Sequence, residues 1–460
     1  MTYGIVTQQT RPSVRVAVAE PGAPVPRGWQ TCRLSENISF TTAQLEAYCL
    51  ASWRPVIFDA LVLAAAVEYC DRVLRRPALG WGRNFDLRVP VHDIKLWNRP
   101  EVNGALHNAL NFLTGDRWKV EFVSRKQPES APKQGQFDLP RGKVSIIPFS
   151  DGMDSCAVAD LEAHDLGDRL IRVRLGSKMK DRPDKRHPFT TVPYRVTIGQ
   201  RNLDSSARSR GFKFAMVSGV AAFLMKAEGI VVPESGQGAL GPGLVSVGHA
   251  YPDYRNHPLF TDRMATFLSA LFDHPIRYRF PRLWQTKGQT LAAFGRIGRI
   301  DACLEARSCW QDSRQVSVDG HRRQCGVCAA CMLRRLSVHA AGFTEKSETY
   351  VWENLSASTF EKGAAKSFDK VTPALREYAI AGVLHLDQLA TLVSSPVHEP
   401  ALLRLAFQLS QSQGIPQKEV GSRLSELLAT HRREWESFLH SLGHHSFVRN
   451  WTSVLNEHAA

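Results

Sequence analysis

The sequence predicts an α/β protein built on a parallel sheet with a cysteine-bound metal motif, flanked by an N-terminal α/β region and a helical C-terminal region. Three observations predict it. From Lys143 onward, short apolar runs alternate with helical stretches, the pattern of a parallel sheet covered by helices on both faces. The turn Ser150-Asp151-Gly152-Met153-Asp154-Ser155 directly follows the first of those runs. Four cysteines, Cys309, Cys325, Cys328 and Cys331, fall in one short segment.

A chain of 460 residues, 43% of them hydrophobic, can bury the cores of two or three domains. Its net charge of +14 comes from 58 basic and 44 acidic residues, which suits anionic partners such as polyphosphates, nucleic acid or an acidic protein surface. The basic residues are scattered and form no arm or stripe, so nucleic acid is neither required nor excluded. The apolar stretch Val56 to Val67 is interrupted by Asp59 and is too short to span a bilayer. Residues Met1 to Arg11 lack a basic segment followed by an apolar one. A cytoplasmic chain without a membrane partner is expected.

Element by element, residues Ser13 to Ala19 alternate as a strand does, and Val56 to Leu74 has the spacing of a buried helix. Strands are expected at Phe85–Val91 and Trp118–Val123, with a helix near Val102–Leu113 between them. The polar, proline-bearing stretch from Gln127 to Arg141 reads as a linker. This makes residues 1–126 an N-terminal region and 127–142 the linker. Residues 143–349 would be the main domain and 350–460 a helical tail. Within the main domain, strands are expected at Val144–Phe149, Leu170–Leu175, Pro193–Ile198 and Ile230–Pro233. Helices are expected over Asp154–Asp165 and Phe212–Glu228. Beyond Tyr350 the chain reads as helical throughout, including Pro400–Gln413 and Glu419–Leu439.

The turn at Ser150 has the chemistry of a phosphate site. Open α/β sheets bind ligands at the carboxyl ends of their strands, and a helix N-terminus offers backbone N–H groups to an anion. Gly152 allows close approach, Ser150 and Ser155 can donate to phosphate oxygens, and Asp154 could hold magnesium. No G-x-x-x-x-G-K-[ST] occurs, which argues against a Walker-type ATPase. A G-x-G-x-x-G does occur at Gly236–Gly241, but Pro242 and Gly243 follow it. It reads as a glycine-rich loop, not a nicotinamide site.

At Ser150, Gly152, Asp154 and Ser155 the segment resembles the Ser-Gly-Gly-x-Asp-Ser loop of the PP-loop ATP pyrophosphatases; Asp151 stands where that family usually has glycine. The resemblance implies an adenine nucleotide alpha hydrolase-like fold. It also implies cleavage of ATP between its α and β phosphates, with Ser150, Asp151, Gly152, Met153, Asp154 and Ser155 around the nucleotide.

The cysteines sharpen it. Cys325-Gly-Val-Cys328-Ala-Ala-Cys331 contains two overlapping C-x-x-C steps, and fifteen residues separate Cys309 from Cys325. Four thiolates suit a tetrahedral zinc ion with no open coordination position, hence a structural site; an iron–sulfur cluster is the competing occupant. Ser308, Cys309, Cys325, Gly326, Cys328, Cys331 and Arg334 are similar to the zinc motif of the 7-cyano-7-deazaguanine synthases, with a longer gap after Cys309. The resemblance runs from about Lys143 to Phe343. The layout outside it looks most like longer relatives in bacterial anti-phage defence operons.

That resemblance implies activation of a 7-carboxy-7-deazaguanine-like carboxylate by ATP and magnesium. Attack by ammonia or a protein N-terminus would then give an amide, or a nitrile after a second activation, with a defence-operon protein as a possible partner. It implies catalytic roles for Asp154, Ser155, Lys178, Arg210 and Lys287, and substrate contacts at Arg210, Glu234 and Gly236. Phe212 and Phe214 are candidates for stacking on the deazapurine. Two other readings stay open. One is a PP-loop tRNA-modifying enzyme with Cys156 or Cys303 carrying sulfur. The other is a zinc-stabilised nucleic-acid-binding module with a degenerate nucleotide fold.

Overall fold

Helix α1 (Pro55–Val73) is apolar on almost every face and is buried along nearly its whole length, as an all-round hydrophobic helix must be. It follows strands β1 (Ser13–Ala19) and β2 (Gln30–Arg33) and precedes β3 (Asn84–Val91). Helix α2 (Pro100–Thr114) and strand β4 (Arg117–Ser124) come next. Then follow β5 (Ser145–Phe149), α3 (Met153–Leu166), β6 (Leu170–Arg174), α4 (Arg210–Met225) and β7 (Gly229–Val231). Helices α5 (Gly236–Leu244) and α6 (Pro258–Phe272), strand β8 (Tyr278–Arg279), and helices α7 (Lys287–Arg296) and α8 (Ala329–Ala340) lead to the C-terminal helices. These are α9 (Pro373–Thr391), α10 (Glu399–Gln413) and α11 (Gln417–Ser441). The computed structural model describes residues 11–41, 45–48, 54–77, 81–126, 137, 139–150, 152–176, 187–199, 204, 208–248, 251–298, 304–311 and 316–453.

Contacts group the chain into two compact units. The first holds residues 1–146, 171–230 and 260–278; the second holds 147–170, 231–259 and 279–460.

In the first unit, β2-β1-β3-β4 form a parallel sheet in that order. Parallel neighbours need crossover connections: α1 lies between β2 and β3 and α2 between β3 and β4, while residues 20–29 join β1 to β2 without a helix. A buried ionic network ties the strand starts to the end of α1. Arg83, fully buried, pairs with Asp71 on one side and Asp116 on the other, and Arg76 bridges the same two carboxylates. The Ser209 N–H donates to Asp71 at 2.9 Å. Guanidinium proximity holds the Asp71 carboxyl below its ordinary value despite burial. Two expectations fail here. The stretch Pro193–Ile198 gives only Arg195–Val196, paired antiparallel with Ile38–Ser39 and absent from both four-stranded sheets. Pro193, without an N–H, cannot extend a ladder. Phe212 is fully buried beside Phe267, 6.4 Å between ring centroids, so it belongs to the core and cannot stack on a ligand.

A second four-stranded sheet has the order β8-β7-β5-β6, with β5 and β7 parallel. In the second unit, α3 buries Val158 and Ala159 against Ile147, Leu170 and Val231. Its other face, Met153, Ala157 and Leu161, packs on Leu291 and Phe294 of α7 and Val338 of α8.

The Gly236–Gly241 segment is not a loop. It opens α5, with Pro242 inside the helix. Burial overrides its poor helix propensity, because only glycine fits at two of its positions. A Cβ at Gly236 would fall 2.2 Å from the Leu283 carbonyl oxygen, and one at Gly238 would fall 2.2 Å from Glu234 Oε1. Nor is the tail helical from Tyr350. Residues 350–372 form irregular chain and one short 3-10 turn around Trp352, whose indole N–H donates to the Phe360 carbonyl at 2.8 Å. Among the described residues no helix is long and apolar enough to cross a membrane.

Candidate functional site

Strand β5 delivers Ser150 to the start of α3. Gly152 is the N-cap, in extended conformation, and having no side chain it contributes no cap of its own. The Ser150 and Ser155 hydroxyl oxygens lie 3.0 Å apart across this turn, and the Gly152 N–H points toward Ser150 Oγ at 3.4 Å. Met153 turns its side chain into the core, leaving only its backbone at the turn. Asp151 lies outside the described residues.

The turn gains a cation from elsewhere in the second unit. Lys287 Nζ lies 2.6 Å from Asp154 Oδ2, the lysine side chain being 6% exposed and the aspartate 22%. Lys287 is the first residue of α7. Thr286 caps that helix in a reciprocal box with Gln289, which sets the direction in which the lysine leaves the backbone.

Glu234, at the end of β7, closes the group. Its Oε2 accepts from Asn256 at 3.0 Å and its Oε1 from the Ser235 N–H at 3.2 Å. Burial, reinforced by the negative charge of Asp154, pushes its carboxyl up to about 8. Lys287 and Arg255 act against that rise without cancelling it. A buried acid that keeps its proton near neutrality beside a buried cation is an arrangement found at acid–base sites.

Of the residues expected in the site, the structure gathers Ser150, Gly152, Asp154, Ser155, Glu234 and Lys287 in one unit. The glycine at Gly236 is demanded by packing. Arg210 opens α4 in the first unit and is exposed. Lys178 and Cys303 lie outside the described residues, and Cys156 packs beside the core of α3. Sequence reading missed Asn256, Gln237, His431 and Glu434. Gln237 Oε1 accepts from the Lys287 N–H at 2.8 Å, and Glu434 Oε1 accepts from the Thr286 hydroxyl at 2.6 Å. Only the Thr286-x-x-Gln289 cap carried a local signal; Glu434 lies on α11, far along the chain.

The four cysteines do converge. One ligand atom from each of Cys309, Cys325, Cys328 and Cys331 lies within 4.8 Å of the others. A tetrahedral ion with bonds of about 2.3 Å sets its sulfurs about 3.8 Å apart, and Cys325 Sγ and Cys331 Sγ are 3.8 Å apart. The sulfurs act as acceptors: the Cys325 N–H points at Cys309 Sγ and the Cys328 N–H at Cys325 Sγ, both at 3.2 Å. Gly326, with φ +87°, makes the turn between them. The donor set and spacing fit a metal such as zinc.

Compared with protein-family models, curated proteins and solved structures, the chain has no match.

Proposed function

We propose that the chain is a PP-loop ATP pyrophosphatase that activates a 7-deazaguanine carboxylate as its adenylate and transfers the acyl group to an amine. The observation that carries this reading is the N-terminus of α3, flanked by the Ser150 and Ser155 hydroxyls, with Lys287 held against Asp154 beside it. That combination offers backbone donors, hydroxyl donors and a buried cation to a polyphosphate, the three things that stabilise a leaving pyrophosphate.

In the reaction, a carboxylate oxygen bonds to the α-phosphorus of ATP and the bond to the β-phosphate oxygen breaks, releasing pyrophosphate. The amine nitrogen then attacks the acyl carbon, AMP leaves, and the nitrogen loses a proton. Ser150, Ser155 and the first N–H groups of α3 orient the phosphates. Lys287 moves its charge from Asp154 toward the phosphates as negative charge builds on them. Asp154, so released, would hold magnesium, which would supply further charge neutralisation. Glu234 faces the same site as a neutral acid that can donate a hydrogen bond to the carboxylate or accept from the purine-like ring. We assign zinc to the four thiolates. It would brace the chain between Cys309 and α8, with an apparent stabilisation on the order of 10–16 kcal/mol in small zinc domains.

The test is mass spectrometry of reactions containing ATP, 7-carboxy-7-deazaguanine and either ammonia or the protein products of neighbouring genes. AMP together with an amide, nitrile or conjugated protein supports the reading. A complete absence of AMP with every amine rejects it.

A further inference from the structure

The C-terminal helices touch the candidate site through a chain of hydrogen bonds whose donors and acceptors leave a single solution. Gln237 is 3% exposed and His431 is fully buried. Gln237 Oε1 accepts from the Lys287 backbone N–H at 2.8 Å. Its Nε2, necessarily the donor end, lies 2.7 Å from His431 Nδ1, so Nδ1 must be the unprotonated nitrogen. His431 Nε2 lies 2.9 Å from the Leu386 carbonyl oxygen, which only accepts, so Nε2 carries the proton. From α9 the imidazole faces His385, Asp387 and that carbonyl; from α5 it faces Gln237. The same glutamine amide faces the Glu434 carboxyl and favours its ionised form.

We infer that neutral His431, on α11, is a positioning residue for Lys287: it fixes which way the Gln237 amide points, and that amide fixes the first residue of α7. The inference rests on the proposed role of Lys287. Were His431 to present an N–H from Nδ1, Gln237 would have to turn its oxygen to the imidazole and its NH2 to the Lys287 N–H, placing donor against donor. Lys287 Nζ would then lose its register with Asp154. Burial pulls the imidazole down to about 4, so the neutral form persists throughout the physiological range. The half-buried Glu434 adds a second hold on the same helix end by accepting from Thr286, the cap of α7. The tail is thus part of the site's scaffold.

The experiment uses the full chain and two readouts. First, nitrogen-detected NMR of 15N-imidazole-labelled protein at pH 7 should show His431 as the Nε2–H tautomer; a protonated Nδ1 overturns the inference without any variant. Second, brief acetylation of surface amines followed by mass spectrometry reports how well Lys287 is held. Wild-type Lys287 should be protected, and His431→Leu should raise its labelling about tenfold, the factor that loss of a hydrogen bond to a buried partner corresponds to. His431→Gln, which can present a carbonyl acceptor, should restore protection. Labelling of Lys287 in His431→Leu equal to wild type overturns the proposal, and so does a His431→Gln variant that stays as labelled as His431→Leu. Pyrophosphate release is measured on the same samples. Its absence in wild type defeats the adenylation reading, while the tautomer and the labelling still decide the positioning role.

Discussion

Glu234 and Lys287 set the electrostatics of the site at the level of single residues. The Glu234 carboxyl is raised to about 8 from an ordinary 4.5, and that of Glu434 to about 7. Between the ordinary and the raised value, the folded chain holds a proton that the unfolded chain has lost. Their contribution to stability is complete below about 4.5 and drains away as pH rises through 7 to 8. His385 and His431 have the opposite sign. Each falls from 6.5 to about 4, so their contribution is complete above 6.5 and is lost as pH falls toward 4. The two sets oppose each other below pH 6.5, and above it only the carboxyls act. Tm should therefore fall between pH 6.5 and 8, and Glu234→Gln should fall less over that interval; a Glu234→Gln profile as steep as wild type would remove Glu234 from the explanation. In the proposed reaction, Lys287→Ala should lower kcat for pyrophosphate release by about 10²–10³-fold, the scale of losing one preorganised charge-stabilising group. Circular dichroism would check that the fold survives.

At the scale of elements, one tight turn and one close helix contact do the positioning. Gly326 sits between the first two clustered cysteines with φ +87°, and a Cβ there would meet Tyr350 Cβ at 3.1 Å and the Trp352 carbonyl oxygen at 3.2 Å. Gly326→Ala should cost about 1–3 kcal/mol, from strain in the left-handed region, and weaken metal retention. Competition with a chelator, followed by elemental analysis, would measure it. Helix α7 meets α8 and α11 at Gly288, where a Cβ would fall 2.7 Å from Ala340 Cβ and 2.9 Å from Glu434 Oε1. These elements also show what a sequence can tell. The turn at Ser150, the capping box and the cysteine spacing are local, since each is written within a few residues by turn, cap or ligand chemistry. Helix α5 was misread because its glycines and Pro242 oppose a helix locally, and only packing against Leu283, Leu427 and Leu389 permits one. The irregular stretch after Tyr350 escaped for a similar reason, being held by the burial of one tryptophan and not by periodicity.

At the scale of the whole molecule, both α/β regions were legible for different reasons: strands such as Asn84–Val91 and Arg117–Ser124 alternate between buried and more exposed positions, whereas Ser145–Phe149 reads as a compact apolar run. The partnerships spanning long sequence separations were not. The buried quartet of Asp71, Arg76, Arg83 and Asp116 joins charged residues that any linear reading leaves in solvent. Arg83→Met should destabilise the chain by about 3–5 kcal/mol, because it leaves Arg76 as the one remaining guanidinium for two buried carboxylates. Chemical denaturation would show it as a lowered midpoint. The contact of α11 with the start of α7 is equally invisible in one dimension, and it makes the tail necessary to the site.

The central claim is that the turn at Ser150 handles the phosphates of ATP while a carboxylate is activated. Pyrophosphate release measured with and without 7-carboxy-7-deazaguanine tests it most directly. The account expects release that depends on the carboxylate and is lost in Ser155→Ala. Equal release without the carboxylate, or none in its presence, would contradict it.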